Sequence, residues 1–133
     1  MTGDLAIVEQ WLGAVNREDA GGVEALSSEQ VEIVGPRGQG VMEREVLGEW
    51  LARAGFQSQA LRWFCGGDGR VVVEHRGEWH DVASGEIQGQ LVIGSEFLVR
   101  HGRVVRYVRH DCGVLDALAA AGLEQRHLVT SRR

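Results

Sequence analysis

The stretch Phe97-Leu98-Val99-Arg100-His101-Gly102-Arg103-Val104-Val105-Arg106-Tyr107-Val108-Arg109-His110-Asp111 decides how this chain folds. Runs rich in β-branched and aromatic residues stand on either side of His101-Gly102, the composition of two strands. His101-Gly102 has the composition of a tight turn, so the stretch reads as a β-hairpin. In its second arm Val105, Tyr107, Arg109 and Asp111 share one face, and Val104, Arg106, Val108 and His110 share the other.

Upstream, three more strands precede that arm. Residues 59–65 form one, closed by Gly66-Gly67-Asp68-Gly69. Residues 70–81 form the next, and Ser84-Gly85-Glu86 turns the chain into residues 87–100. Turns at this spacing predict an antiparallel meander. The first third of the chain has helical spacing instead. Leu5, Val8, Leu12 and Val15, widened by Trp11, make an apolar stripe over residues 4–16. Thr2 or Asp4 can cap that helix, and Asp19 caps a short second one carrying Val23 and Leu26. Val31-Glu32-Ile33-Val34 reads as a first strand and residues 35–40 as a glycine-rich loop. Residues 42–54 return to helical spacing and end at Gly55. Residues 114–121 predict a closing helix, and the tail, residues 124–133, is expected to be flexible. Helices followed by a run of strands make an α+β arrangement in one domain, residues 1–123.

Composition narrows the function. The chain has 133 residues, and all 14 basic ones are arginine. Without lysine there is no Schiff-base chemistry on the protein and no Walker-type phosphate loop. A formal charge of −5 disfavours nucleic acid and anionic membrane as partners. Cys65 and Cys112 have no metal-type spacing, which predicts reduced thiols. No apolar run approaches the ~20 residues of a membrane span, and Met1-Thr2-Gly3-Asp4 is not the start of a secretory signal. The expected location is cytoplasmic.

The order of elements resembles the NTF2-like superfamily, in particular its SnoaL-like branch of polyketide cyclases, ketosteroid isomerases and limonene-epoxide hydrolases. The resemblance spans residues 4–122. It rests on Asn16-Arg17-Glu18-Asp19 between two helices, on Val31-Glu32-Ile33-Val34-Gly35-Pro36, on the hairpin 97–111, and on the closing residues 114–123. It implies a cystatin-like cone, in which N-terminal helices cover a curved antiparallel sheet and enclose an apolar pocket. It also implies a homodimer through the outer sheet face. The fold hosts hydrolases, isomerases, lyases, cyclases and non-catalytic binders, so it does not choose a reaction.

Epoxide hydrolases of the superfamily carry Arg-x-Asp on the strand equivalent to 70–81 and a second Asp ending the last strand. Arg76-x-Glu78 and Asp111 resemble that set, with Glu for one Asp. An arginine between two carboxylates can hold one ionised while the other carries a proton, an acid/base pair near neutral pH. The expected catalytic residues are therefore Asp111, Arg76 and Glu78. The Tyr and Asn that hold water in those enzymes correspond to Glu32 and Val34 here, a departure that puts epoxide hydrolysis in doubt. The isomerase base corresponds to Gly35 and its oxyanion-hole acid lies near Ser95, which disfavours that reaction too.

Expected ligand contacts are Tyr107 and Arg109 on the last strand, Ser95 and Phe97 on the one before, His75 and Trp79 on strand 70–81, and Trp63. The bulk of all four tryptophans serves core packing first, and the two on the sheet, Trp63 and Trp79, are the better candidates for the pocket. Strand 70–81 puts Val72, Glu74, Arg76, Glu78 and His80 on one face and Val71, Val73, His75, Gly77 and Trp79 on the other. The alternation does not say which face is inside. His75 and His80 fall on opposite faces, and neither a metal nor an organic cofactor is expected. The leading expectation is a domain that binds, and by acid/base chemistry turns over, a small apolar or aromatic metabolite. The alternatives are a non-catalytic module binding a ligand or protein, and a subunit of a larger assembly.

Overall fold

A computed structural model describes residues 3–35 and 38–130. Thr2, Pro36, Arg37 and residues 131–133, to which the sequence reading assigned a cap, part of a loop and the end of the tail, lie outside the described residues.

Helix α1 (Gly3–Asn16) forms where the apolar stripe falls, and it buries Leu5, Val8, Trp11, Leu12 and Val15. Burying each such side chain stabilises the fold by about 1.5–3 kcal/mol. The Trp11 indole donates to the Ser27 hydroxyl at 3.0 Å, so no polar atom is stranded there. Helix α2 (Ala20–Ala25) starts at Asp19, whose carboxylate accepts the Gly22 N–H at 3.0 Å.

Strand β1 (Ser27–Gly35) and strand β2 (Gly38–Glu43) form an antiparallel hairpin. The expected loop over 35–40 is thus half strand, and the following helix, α3 (Arg44–Arg53), begins two residues later than the stripe suggested. Met42 belongs to both readings, because a residue at a strand end can meet the same core that a helix would. Gly48 sets the distance between α3 and α2, since a Cβ there would lie 2.8 Å from the Ala20 carbonyl oxygen.

Strands β3 (Phe56–Cys65), β4 (Arg70–His80), β5 (Ile87–Arg100) and β6 (Arg103–His110) form the meander. The six strands lie in the order β2-β1-β6-β5-β4-β3. Here the expectation of a wholly antiparallel sheet is corrected: β6 runs parallel to β1. The connection through α3 carries the chain from one edge of the sheet to the other. The meander then returns to β1 with β6 pointing the same way. One extra residue, Val105, sits opposite the step from Leu98 to Val99. Val104 rather than Val105 therefore reaches the core, where it is fully buried.

Helices α1 to α3 cover the inner face of the curved sheet, with Val31, Val71, Val73, Ile93 and Phe97 in the core between them. Helix α4 (Val114–Ala121) packs on the outer face instead, against Phe64 and Val72. It comes so close that a Cβ on Gly94 would lie 2.7 Å from the Gly113 carbonyl oxygen. The tail was expected to be flexible from residue 124. Within the described part, a 3-10 turn (Gln125–His127) leads to a Val129 N–H that donates to the Trp63 carbonyl at 2.8 Å. Leu128 packs beside Phe64, so apolar burial and strand pairing dock this segment on β3. Among the described residues no helix is long and apolar enough to cross a membrane.

Candidate functional site

A cavity of about 860 Å³ opens between α3, the β1–β2 hairpin and the inner face of the sheet. Its walls are apolar. Trp50 and Leu51 come from α3 and Ala54 from its C-cap, Val41 and Met42 from β2, Phe56 from β3 and Trp79 from β4. Trp50 is 47% exposed and Val41 64%, so this side is open to solvent. One end is polar, formed by Tyr107, Arg109 and Asp111. Alternation along β6 brings these three to one face, as the sequence suggests.

Arg109 and Asp111 form a two-pronged pair: Nε donates to Oδ1 at 2.6 Å and Nη2 to Oδ2 at 3.1 Å. The guanidinium also lies over the Trp79 ring, 4.7 Å from its centroid. Such a pair is geometrically fixed and electrically neutral as a whole. Phe56 and Trp79 touch, ring centroids 5.1 Å apart. Gly77 makes room for them, because a Cβ there would stand 2.8 Å from the Phe56 ring.

Tyr107 joins the cavity to the core. Its ring packs against Phe97 at 5.0 Å and Trp11 at 5.5 Å. Burial pushes the phenol pKa up, while the hydrogen bond with Ser95 and the charge of Arg109 pull it back. Ser95 Oγ in turn lies 2.8 Å from His75 Nε2. His75 is fully buried, and among the described residues its Nδ1 has no hydrogen-bond partner. Burial, helped by the nearby Arg109 charge, lowers its pKa from the ordinary 6.5 to about 4.

The expected catalytic trio is not brought together. Val72 packs under α4, so Glu74, Arg76 and Glu78, which share its parity, lie on the outer face. Arg76 is exposed, and Glu78 accepts from Gln90 at 2.8 Å and lies 3.2 Å from His80. Only Asp111 lines the cavity, and its arginine is Arg109. Among the expected ligand contacts Tyr107, Arg109 and Trp79 line the cavity. His75 and Ser95 lie buried behind Tyr107, and Phe97 supports its ring. Trp63 is buried in the core. Sequence reasoning missed Trp50 and Phe56 as wall residues. Trp50 fits the helical stripe, and only its large exposed area separates it from a packing residue.

No protein-family model and no curated protein sequence matches the chain. Solved structures do match. An NTF2-like protein of unknown function from Burkholderia pseudomallei is 19% identical, with 90% of this chain and 97% of that chain covered at a TM-score of 0.68. TerC, co-crystallised with polyporic acid, is 19% identical over 92% and 98% of the two chains, with a TM-score of 0.68. A Mycobacterium tuberculosis epoxide hydrolase resembling the limonene-epoxide enzymes is 21% identical over 89% and 93%, with a TM-score of 0.67. The chain has the NTF2-like fold, an α+β arrangement of helices on a curved mixed sheet. At these identities the likeness is one of fold.

Proposed function

We propose that this chain binds a small, largely apolar molecule with a flat aromatic or conjugated body, held between Trp50 and Trp79. The observation that carries the reading is the cavity of about 860 Å³, within the usual range for ligand sites, with apolar walls and one polar end. The co-crystallised ligand of TerC, a protein of the same fold, supports the same class of occupant. Titration calorimetry with tetralin and 1-tetralone tests it. Saturable binding, weakened about tenfold by Trp50→Ala, is the expected result, since one stacked indole contributes roughly that much. Absence of heat with both probes refutes the reading.

A second reading, cofactor-free acid/base turnover, is favoured by Asp111 alone, a carboxylate on the cavity wall. Arg109 engages both its oxygens and holds the carboxylate in place at the polar end of the cavity. Turnover lost in Asp111→Asn, with probe binding retained, would support this reading. A homodimer through the part of the outer face that α4 leaves open belongs to the same proposal. Sedimentation equilibrium tests it, and a monomer throughout removes it.

A further inference from the structure

Behind the polar end of the cavity lies a hydrogen-bonded chain whose direction can be worked out. His75 has one bonded nitrogen, Nε2, 2.8 Å from Ser95 Oγ, and one buried nitrogen, Nδ1, with no partner among the described residues. A neutral imidazole carries its proton on one or the other. A proton on Nδ1 would leave an N–H donor buried with nothing to accept it. A proton on Nε2 leaves only an unpaired lone pair. Orphaned buried donors are rarer and costlier than under-used acceptors, so the proton sits on Nε2. The charged imidazolium would also strand a donor at Nδ1, in agreement with the downward pKa shift.

Nε2–H therefore donates to Ser95 Oγ. The Ser95 proton is then left for a second acceptor, and the Tyr107 phenol, diagonal to Ser95 across β5 and β6, is the neighbouring one. With its oxygen accepting from Ser95, Tyr107 has its own proton free, and its side chain lines the cavity. Packing against Trp11 and Phe97 fixes the ring that carries it. Beside it, Arg109 uses Nε and Nη2 on Asp111 and has Nη1 to offer. The polar end thus presents hydrogen-bond donors while Asp111 cancels the arginine charge.

From this geometry, and resting on the binding reading above, we infer that the cavity selects an uncharged carbonyl oxygen conjugated to the apolar body, with Tyr107 as the donor to it and His75 and Ser95 as positioning residues that aim the Tyr107 proton. A carboxylate of the same shape is disfavoured, because the Arg109–Asp111 pair is already neutral and leaves no net positive charge to offset the loss of the anion's hydration.

Three probes of one shape test this: tetralin, 1-tetralone and tetralin-1-carboxylate. Calorimetry is run on the wild type, Tyr107→Phe, His75→Gln and His75→Leu, with the carbonyl stretch of bound 1-tetralone read by infrared spectroscopy. Tyr107→Phe should weaken 1-tetralone about tenfold and leave tetralin unchanged, as expected for one buried hydrogen bond. The carbonyl stretch should move to lower frequency in the wild type and return toward its apolar-solvent value in Tyr107→Phe. His75→Gln, whose amide can still donate to Ser95, should keep the shift, and His75→Leu should lose part of it. Equal weakening of tetralin and 1-tetralone by Tyr107→Phe, an unshifted stretch in the wild type, or tighter binding of the carboxylate would each overturn the inference. Failure of all three probes to bind the wild type would instead refute the binding reading beneath it. Should His75→Leu not fold, the other two variants decide the matter.

Discussion

Replacing His75 with glutamine should flatten the acid side of the stability curve. In the folded protein burial, and secondarily the Arg109 charge, hold the imidazole pKa at about 4, against 6.5 for the free side chain. The folded state therefore binds fewer protons than the unfolded chain between those values. Stability rises with pH wherever the unfolded state holds more protons, so this group costs nothing above the unfolded pKa and destabilises progressively as pH falls below it. The full gap of about 2.5 units is worth about 3 kcal/mol at 1.36 kcal/mol per unit. About 2 kcal/mol of that is already lost by about pH 5, where an unfolded histidine is almost wholly charged and this one is not. Glutamine keeps a donor toward Ser95 and cannot titrate. Urea unfolding of both proteins at about pH 7.5 and about pH 5 gives two stability differences, and their change isolates the His75 contribution. The other histidines and the carboxylates titrate in both proteins and cancel. A wild-type-minus-variant difference that stays constant between the two pH values would refute the reasoning.

Gly94→Ala should cost about 2–3 kcal/mol in denaturant unfolding, because the new methyl group meets backbone atoms of Gly113 and Val114 that move only if α4 moves; a cost under about 0.5 kcal/mol would mean α4 does not press on β5 as described. Arg76→Ala combined with Glu78→Gln should leave 1-tetralone binding unchanged and stability within about 0.5 kcal/mol, as expected of outer-face polar residues. A large loss of binding would restore these two residues to the site. Asp111→Asn should leave the Arg109 charge uncancelled, so that calorimetry finds tetralin-1-carboxylate bound about tenfold more tightly than by the wild type. No gain for the anion would show that the pair does not set the charge preference.

The hairpin at 97–111 was legible because two β-rich runs flank a turn marked by a glycine. Its inner face therefore delivers Tyr107, Arg109 and Asp111 to the cavity with no information beyond period two. Strand β4 separates into a largely charged and a largely apolar face, yet its inward face stayed ambiguous. Glu74, Arg76 and Glu78 read as surface by polarity and as a site by likeness to Arg-x-Asp. The deciding fact is non-local: Val72, of the same parity, is covered by α4 from the far end of the chain. Strand β2 was hidden by its composition, since Gly38-Gln39-Gly40 reads as a loop and Met42 completes a helical stripe. The parallel pairing of β1 with β6 could not be read locally either, because the partners lie some 70 residues apart, as the Arg106–Glu32 bond does at a separation of 74.

The inner residues of β4 tie the apolar wall to the polar end. Gly77 has no side chain, and the space it leaves is taken by the Phe56 ring. Phe56 in turn braces Trp79, and the face of Trp79 carries the Arg109 guanidinium at 4.7 Å. Arg109 then fixes Asp111 through two bonds. A side chain at Gly77 would displace Phe56 first, and the displacement would reach the charged pair through Trp79 without touching it. The cavity's shape and its charge balance are for this reason one property of the fold. The same strand also holds His75 behind Tyr107, two residues along from Gly77. Three alternate positions of one strand, His75, Gly77 and Trp79, thus determine the donor, the width and the charge support of the cavity. The charged positions between them face the other way and serve the outer surface.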